Sequence, residues 1–271
     1  MNYQTYTPTP ELSKYVKCYW ILESSVKTDL VSAEKIFPDG CIELIFHYGD
    51  LFMEFRSNHA SDLGPRSFVY GQLEKFIEIR ATGKIGVLGI RFYPHGLRPF
   101  VRLDINEITG QSVAVQELWG REGGILEDKI LNAPTIERRI SLVEIFLLEK
   151  LRWSAQSDSV IERCVDSILR SDGNIAINDL ANQLNVGRRH LERKFIASVG
   201  LSPKLLSRIV RFNNTLNLIN HKQFSSLTMV AYEGGFYDQA HFIKDFKEFT
   251  GLNPKQFFSQ DLNLAKYFNL D

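Results

Sequence analysis

Between positions 188 and 211 the chain places Arg188, Arg189, Arg193, Lys194, Lys204, Arg208 and Arg211, with a single acid, Glu192, among them. An arginine presents a planar fork of donors that fits O6 and N7 of guanine, and a glutamate accepts from N4 of cytosine. Any of these cations can also neutralise phosphate. A second group lies downstream: Gln239, Ala240, Ile243 and Lys244. Glutamine suits adenine, alanine suits the thymine methyl, and lysine suits guanine or phosphate. The two groups suggest two sets of base-edge candidates: Arg188, Arg189, Glu192 and Arg193, then Gln239, Ala240, Ile243 and Lys244. Lys204, Arg208, Arg211 and His241 are candidates for phosphate. The whole chain carries 32 basic and 32 acidic residues, so the basic segment is a local feature and not a consequence of composition. A basic segment on a neutral chain is the footprint of a polyanionic partner.

Side chains can read a groove only if something rigid presents them, and the surrounding sequence supplies it twice. Leu191, Phe195, Gly200, Leu201 and Pro203 recur as Phe242, Phe246, Gly251, Leu252 and Pro254, each pair 51 residues apart, and His190 recurs as His241. Upstream, Ala181 and Ala231 are 50 apart, so the second copy gains one residue in between. Each copy reads as two helices joined by a tight turn. In the first, a helix over Ile177 to Leu184 leads through a turn at Asn185 to Gly187 into a second helix from Arg188 to Ala197. Asn185 suits that turn because asparagine tolerates positive φ. In the second copy Gly235 takes the turn and Asp238 caps the next helix. Phe242, Phe246 and Phe249 share one helical face and serve as core anchors, leaving a polar face that includes Lys244, Asp245 and Glu248. Between the copies, Leu205, Ile209, Phe212, Leu216 and Ile219 line one face of a long connecting helix. Two helices with a tight turn form a helix-turn-helix, whose second helix enters the DNA major groove.

The stretches "LANQLNVGRRHLERKF", "GLSP" and "MVAYEGGFYDQAHFIKDFKEFTGLNPKQF" resemble the tandem helix-turn-helix domain of the AraC family of transcriptional regulators. The resemblance covers residues 175 to 258. The chain departs from the family pattern at Gly187, where a capping serine is usual, at Arg188, where proline is common, and at Ala240, where serine is common. Lys244 and Asp245 stand at Arg-Ala-like positions. More loosely, "FPDGCIELIF" and "GIRFYPHG" resemble the cupin-like sensor half of one branch of the family. The resemblance implies a sequence-specific regulator whose two units read successive faces of double-stranded DNA. It also implies a small-molecule effector or homodimer acting through the N-terminal half, and RNA polymerase as a further partner.

The first half reads as β-rich. "CIELIFHY", "LFMEF", "SFVYGQ", "FIEIR" and "KIGVLGIRFY" are short aromatic and β-branched runs, separated by glycine and proline turns that include the "FPDG" at Phe37. Such runs suggest a small barrel or sandwich. After about Asn106 helices take over. Ile136, Ile140, Val143, Leu147 and Leu151 form a stripe wide enough to cover the sheet and to meet a second subunit. The expected fold class is α+β, with a barrel-like, cupin-like domain over 1–152, a linker over 153–159 and an all-α tandem helix-turn-helix domain over 160–271. Ser159 is a candidate N-cap for the first helix of that domain and Gly173 a C-cap.

Other chemistries fit less well. His47, His59 and His95 lack ligand spacing, and Cys18, Cys41 and Cys164 contain no CxxC pair, so no metal, cofactor or disulfide framework is expected. Asp39 and Glu43 can pair as acid and base, although Asp39 also suits the turn. Tyr48, Arg91, Tyr93 and His95 are the residues that could line an effector pocket. No catalytic residues are assigned, and the chain is read as not an enzyme. The competing readings are a cupin-type metalloenzyme fused to a helical interaction domain and a pure protein-interaction module. Neither a secretory start nor an 18-residue apolar run is present, so a cytoplasmic protein without a membrane partner is expected.

Overall fold

A computed structural model describes residues 1–24, 33–56, 59–152, 158–221 and 226–258. The linker read at 153–159 therefore falls largely outside the described residues, which resume at Asp158. The N-terminal half is built from two antiparallel sheets. Strands β1 (Asn2–Tyr6), β2 (Val16–Glu23), β4 (Ile42–His47), β7 (Ser67–Tyr70), β9 (Gly86–Phe92) and β10 (Ser112–Ala114) form the larger, in the order β1-β2-β9-β4-β7-β10. Strands β3 (Glu34–Ile36), β5 (Phe52–Arg56), β6 (His59–Leu63) and β8 (Ile77–Ala81) form the smaller, in the order β3-β8-β5-β6. Each sheet keeps two edges, and no closed barrel forms among the described residues. The barrel-like expectation is corrected accordingly: the layers face each other as an open sandwich.

The larger sheet is covered on both sides, which explains its near-continuous apolar runs. Successive residues alternate between its faces. From β4, Ile42, Leu44 and Phe46 join the core shared with the helices α1 (Val115–Leu131) and α2 (Ile136–Arg152). Glu43, Ile45 and His47, from the opposite face of the strand, line the space between the sheets. The α2 stripe buries Val143, Phe146 and Leu147 in the first of these cores, and Trp119 of α1 meets Phe146 edge-on at 5.2 Å. Ile145 remains exposed on the other side of α2.

The C-terminal half is helical: α3 (Ser159–Arg170), α4 (Ile177–Gln183), α5 (Arg188–Val199), α6 (Pro203–His221), α7 (Leu227–Glu233), α8 (Gln239–Thr250) and α9 (Pro254–Phe258). Asp158, rather than Ser159, caps α3, because its side chain accepts from the Val160 amide at 3.0 Å while Ser159 already lies inside the helix. Phe195, Phe212, Phe242, Phe246 and Phe249 are fully buried in one core. Their rings form a chain of contacts 5.3–5.5 Å apart from Phe242 through Phe246 and Phe212 to Phe249. Each such side chain contributes about 1.5–3 kcal/mol by leaving water, with a further ~0.5–1.5 kcal/mol per aromatic pair. The two halves touch. Thr109 donates to the Gly200 carbonyl, Lys35 to that of Thr250, and Asn213 to that of Pro38. Among the described residues, no helix is long and apolar enough to cross a membrane.

Candidate nucleic-acid interface

The two repeated units close in the same way. In the first, the Val186 amide bonds back to the Ala181 carbonyl at 3.0 Å and Asn185 sits at φ 56°. In the second, the Phe236 amide bonds to the Ala231 carbonyl at 2.9 Å and Gly235 sits at φ 75°. Both are left-handed turns of the kind that end a helix, and they satisfy carbonyls that would otherwise lack a donor. A side chain at Gly235 would also collide with Asn174, so glycine is required there by space as well as by φ. Ala181 and Ala231 are buried. The two units differ at the start of the second helix. Asp238 accepts from the His241 amide at 2.7 Å, whereas Gly187 holds the equivalent place with no side-chain cap.

The inner faces of α5 and α8 are apolar, which fixes what points outward. Arg188, Arg189 and Arg193 are exposed on α5, as are Ala240 and Lys244 on α8. Glu192, Gln239 and Ile243 are half-buried beside them. Arg188 donates to Glu192 at 2.9 Å and to Asn178 of α4 at 3.0 Å, and the Gln239 amide oxygen accepts from Thr228 at 2.8 Å. These exposed contacts are worth little in water, ~0–1 kcal/mol, so they can be exchanged for contacts to a ligand at small cost. Lys204 is exposed at the start of α6, and Lys194 is paired to Asp158 at 2.8 Å.

Two residues that the sequence offered as phosphate contacts are used elsewhere. Arg208 forks onto Asp245 (2.8 and 3.2 Å) and Glu248 (2.6 and 3.3 Å), clamping α6 to α8. The hydrogen bonds to Asp245 raise the affinity of Arg208 for its proton still further. Asp245, placed by the sequence pattern on a polar outer face, is buried under this clamp. Arg211 lies over the Phe236 ring at 5.3 Å and donates to the Gly235 carbonyl at 3.3 Å, which braces the turn of the second unit. Burial lowers its proton affinity. His241 is half-buried, with its ring edge-on to Phe236. The sequence reading also missed two outward groups: Tyr237, 92% exposed beside the α8 cap, and Tyr232, 84% exposed on α7. Their signal was a tyrosine flanking a glycine turn in a segment whose other aromatic residues are buried.

Between the two sheets lies a cavity of about 140 Å³. Of the four residues read as pocket candidates, Arg91 alone lines it. The β4–β9 register sets Arg91 opposite Glu43, and the guanidinium donates to Glu43 at 2.6 Å and pairs with Asp39 at 3.5 Å. Asp39 uses its other oxygen to accept from the Cys41 amide, so it serves the turn and the ion pair together. Tyr48 instead donates to Glu23 and stacks under Arg139, because it follows the last residue of β4 and leaves the inter-sheet face. Tyr93 and His95 lie past the end of β9 and stack on each other. His95 borders a separate cleft between the halves that also contains Glu162 and Lys194. Burial holds both His47 and His95 below the usual histidine range, His47 at about 4. Among the described residues, no three His, Cys, Asp or Glu side chains come together as metal ligands would.

A family model described as a helix-turn-helix domain matches residues 180–260, and one described as a domain of unknown function (DUF6597) matches residues 4–114. The Msm operon regulatory protein of Streptococcus mutans is 30% identical over 119 residues, which are 43% of this chain and 42% of that protein. An uncharacterized HTH-type transcriptional regulator of Haemophilus influenzae is 24% identical over 59% of this chain and 51% of its own length. The chain thus spans about half the length of the curated relatives it matches. Among solved structures, ToxT from Vibrio cholerae aligns over 96% of this chain and 98% of its own, with 13% identity and a TM-score of 0.48.

Proposed function

We propose that the chain is a helix-turn-helix regulator of the AraC family, which binds double-stranded DNA and regulates transcription under the control of a small molecule held in its N-terminal half; the match of residues 180–260 to a helix-turn-helix domain and the likeness to the Msm operon regulatory protein support this. The observation that carries the reading is the pairing of α5 and α8. Two units closed by equivalent left-handed turns bury their aromatic faces in one core and turn Arg189, Arg193 and Lys244 outward. Arg188, Arg189, Glu192 and Arg193 then face base edges from the first unit, and Gln239, Ala240, Ile243 and Lys244 from the second. Lys204 takes phosphate, and Tyr237 is placed to join it. The functional halves are 1–152 and 160–271. A homodimer through the α2 face that bears Ile145, contact with RNA polymerase and action in the cytoplasm belong to the same proposal.

The cavity supports control because its wall is shared with the DNA-binding half. Phe37 lines the cavity yet is buried in the helical core, where its ring meets Phe257 at 5.5 Å. The adjoining Pro38 accepts from Asn213 of α6 through its carbonyl, and Gly40 lies so near α6 that any side chain there would collide with Leu206. A ligand that moves Asp39 or Phe37 therefore acts on the helix that spaces the two reading heads, and shifts the DNA-competent population by its differential affinity. Selection of bound genomic fragments by the full chain, followed by gel shifts across a salt series, tests the reading. A selected site should bind far more tightly than random DNA, with affinity falling linearly on a log–log salt plot. No shift with any DNA at low salt would leave an interaction module as the better account.

A further inference from the structure

His47 offers the inter-sheet cavity an acceptor that no described residue uses; this step rests on the cavity being the effector site proposed above. The residue ends β4 and lines the cavity, and it is 5% exposed. Its ring packs on Phe52 at 5.5 Å and on Phe68 at 5.7 Å, and both of these rings belong to the same wall. Nδ1 lies 3.3 Å from the Arg66 carbonyl, which can only accept, so Nδ1 carries the proton of the neutral ring. Burial keeps the ring neutral, with its pKa lowered to about 4. Nε2 is therefore an acceptor, and among the described residues nothing donates to it. A buried acceptor left without a donor is costly, so a ligand that supplies one is favoured over one that does not.

The charged side chains of the described lining, Asp39, Glu43, Glu54 and Arg91, are all engaged. Arg91 donates to Glu43 and pairs with Asp39. Trp20 donates through Nε1 to the other Glu43 oxygen at 3.0 Å, and Tyr70 donates to Glu54 at 3.1 Å. A charged ligand would leave water for a site whose counter-charges are already in use, which costs affinity. An uncharged ligand disturbs none of these contacts. Much of the remaining wall is apolar and aromatic, and a cavity of about 140 Å³ is close to the size, ~150 Å³, that accommodates one benzene ring. We infer that the cavity binds an uncharged phenol-class molecule, one aromatic ring with a single hydroxyl, whose ring lies among Trp20, Phe52 and Phe68 and whose O–H donates to Nε2 of His47. The apolar wall supplies the affinity, and His47 sets the preference for a ring that carries a donor.

The test uses four one-ring probes on the full chain: phenol, toluene, benzoate and benzylamine. Binding is read by titration calorimetry and by Trp fluorescence. Phenol should bind about tenfold or more tightly than either charged probe, and at least as tightly as toluene although toluene is the more hydrophobic. His47→Leu should lower the ratio of phenol to toluene affinity by about fivefold or more, because only phenol uses the acceptor. Tighter binding of benzoate, benzylamine or toluene than of phenol, or binding of none of the four, overturns the assignment. So does a ratio that His47→Leu leaves unchanged. Should His47→Leu fail to fold, the ranking of the four probes on the parent chain decides alone. A gel shift on the same preparation separates the two proposals. Intact DNA binding without phenol binding sinks the ligand class alone, and phenol binding without any DNA shift sinks the regulator reading alone.

Discussion

Replacing Arg208 by alanine sets the three-dimensional reading of this residue directly against the one its sequence suggests. As a phosphate contact, Arg208 would contribute affinity for all DNA, and its loss would flatten the log–log salt slope by about one unit. In the structure its guanidinium is consumed by Asp245 and Glu248 and sits 5.2 Å from the Phe249 ring. The Asp245 side chain is 2% exposed, so truncation strands a carboxylate in the core. Removing one partner of such a pair costs about 3–5 kcal/mol. The Glu248 arm, 34% exposed, adds only ~0–1 kcal/mol because water screens it. Against a total stability of ~5–15 kcal/mol this is a large share. It should appear as a fall of roughly 10–20 °C in the unfolding midpoint of the helical half. Calorimetric scans of Arg208→Ala, Asp245→Leu and the Arg208→Met/Asp245→Leu pair check the reasoning. The double variant should recover most of the loss, since an apolar pair of similar volume no longer buries an unmatched charge. An unchanged midpoint for Arg208→Ala, together with a salt slope lower by one, would show that Arg208 faces phosphate and that the clamp is wrong.

Other outcomes follow from the same geometry. Arg193→Ala should cost ~1–3 kcal/mol on a selected site and little on random DNA, read by competition gel shifts; equal losses on both would make it a backbone contact. Asp238→Ala removes the α8 cap and should cost about 1 kcal/mol in urea unfolding, whereas Gly187→Ser, in open space at the uncapped start of α5, should gain a few tenths. Gly235→Ala meets both a φ of 75° and the Asn174 side chain, and should cost more than the Asp238 change by the same assay. For His47 the folded-state value of about 4 lies below the unfolded value near 6.5, so the unfolded chain binds the extra proton as pH falls. Stability is therefore lost on acidification through that window, by about 2 kcal/mol at pH 5, and urea midpoints of His47→Gln should depend less on pH over it than those of the parent chain.

Much of the helical half was legible in the residues because its signals are local. Asn185 and Gly235 mark left-handed turns through their own backbone preferences, and Asp238 caps through its own short side chain. Phe242, Phe246 and Phe249 declare a buried face by spacing alone. Strands β4, β5, β7, β8 and β9 were legible for the same reason, whereas β1, β2, β3, β6 and β10 were not: "NYQTY" and "VKCYWILE" lack turn punctuation and strict alternation, "EKI" and "SVA" are three residues each, and "HASDL" carries little β-branched or aromatic content. The candidate site was legible only in part. Outward arginines on α5 follow from helical period, but the period says nothing about which cation another helix will claim.

What the sequence by itself determined, then, is the doubled two-helix unit, its turns, its aromatic anchors and the exposed set Arg188, Arg189 and Arg193. What only the tertiary structure decided is where long-range partners meet. Arg208 finds Asp245, 37 residues on, once α6 and α8 pack together. Arg91 finds Glu43 through the β4–β9 register, while Tyr48, Tyr93 and His95 go to other surfaces. Phe37 leaves the sheets for the helical core. The physical reason is range: φ preferences, caps and periodicity act within a turn or two of chain, whereas a buried charge is settled by whichever opposite charge folding brings within about 4 Å.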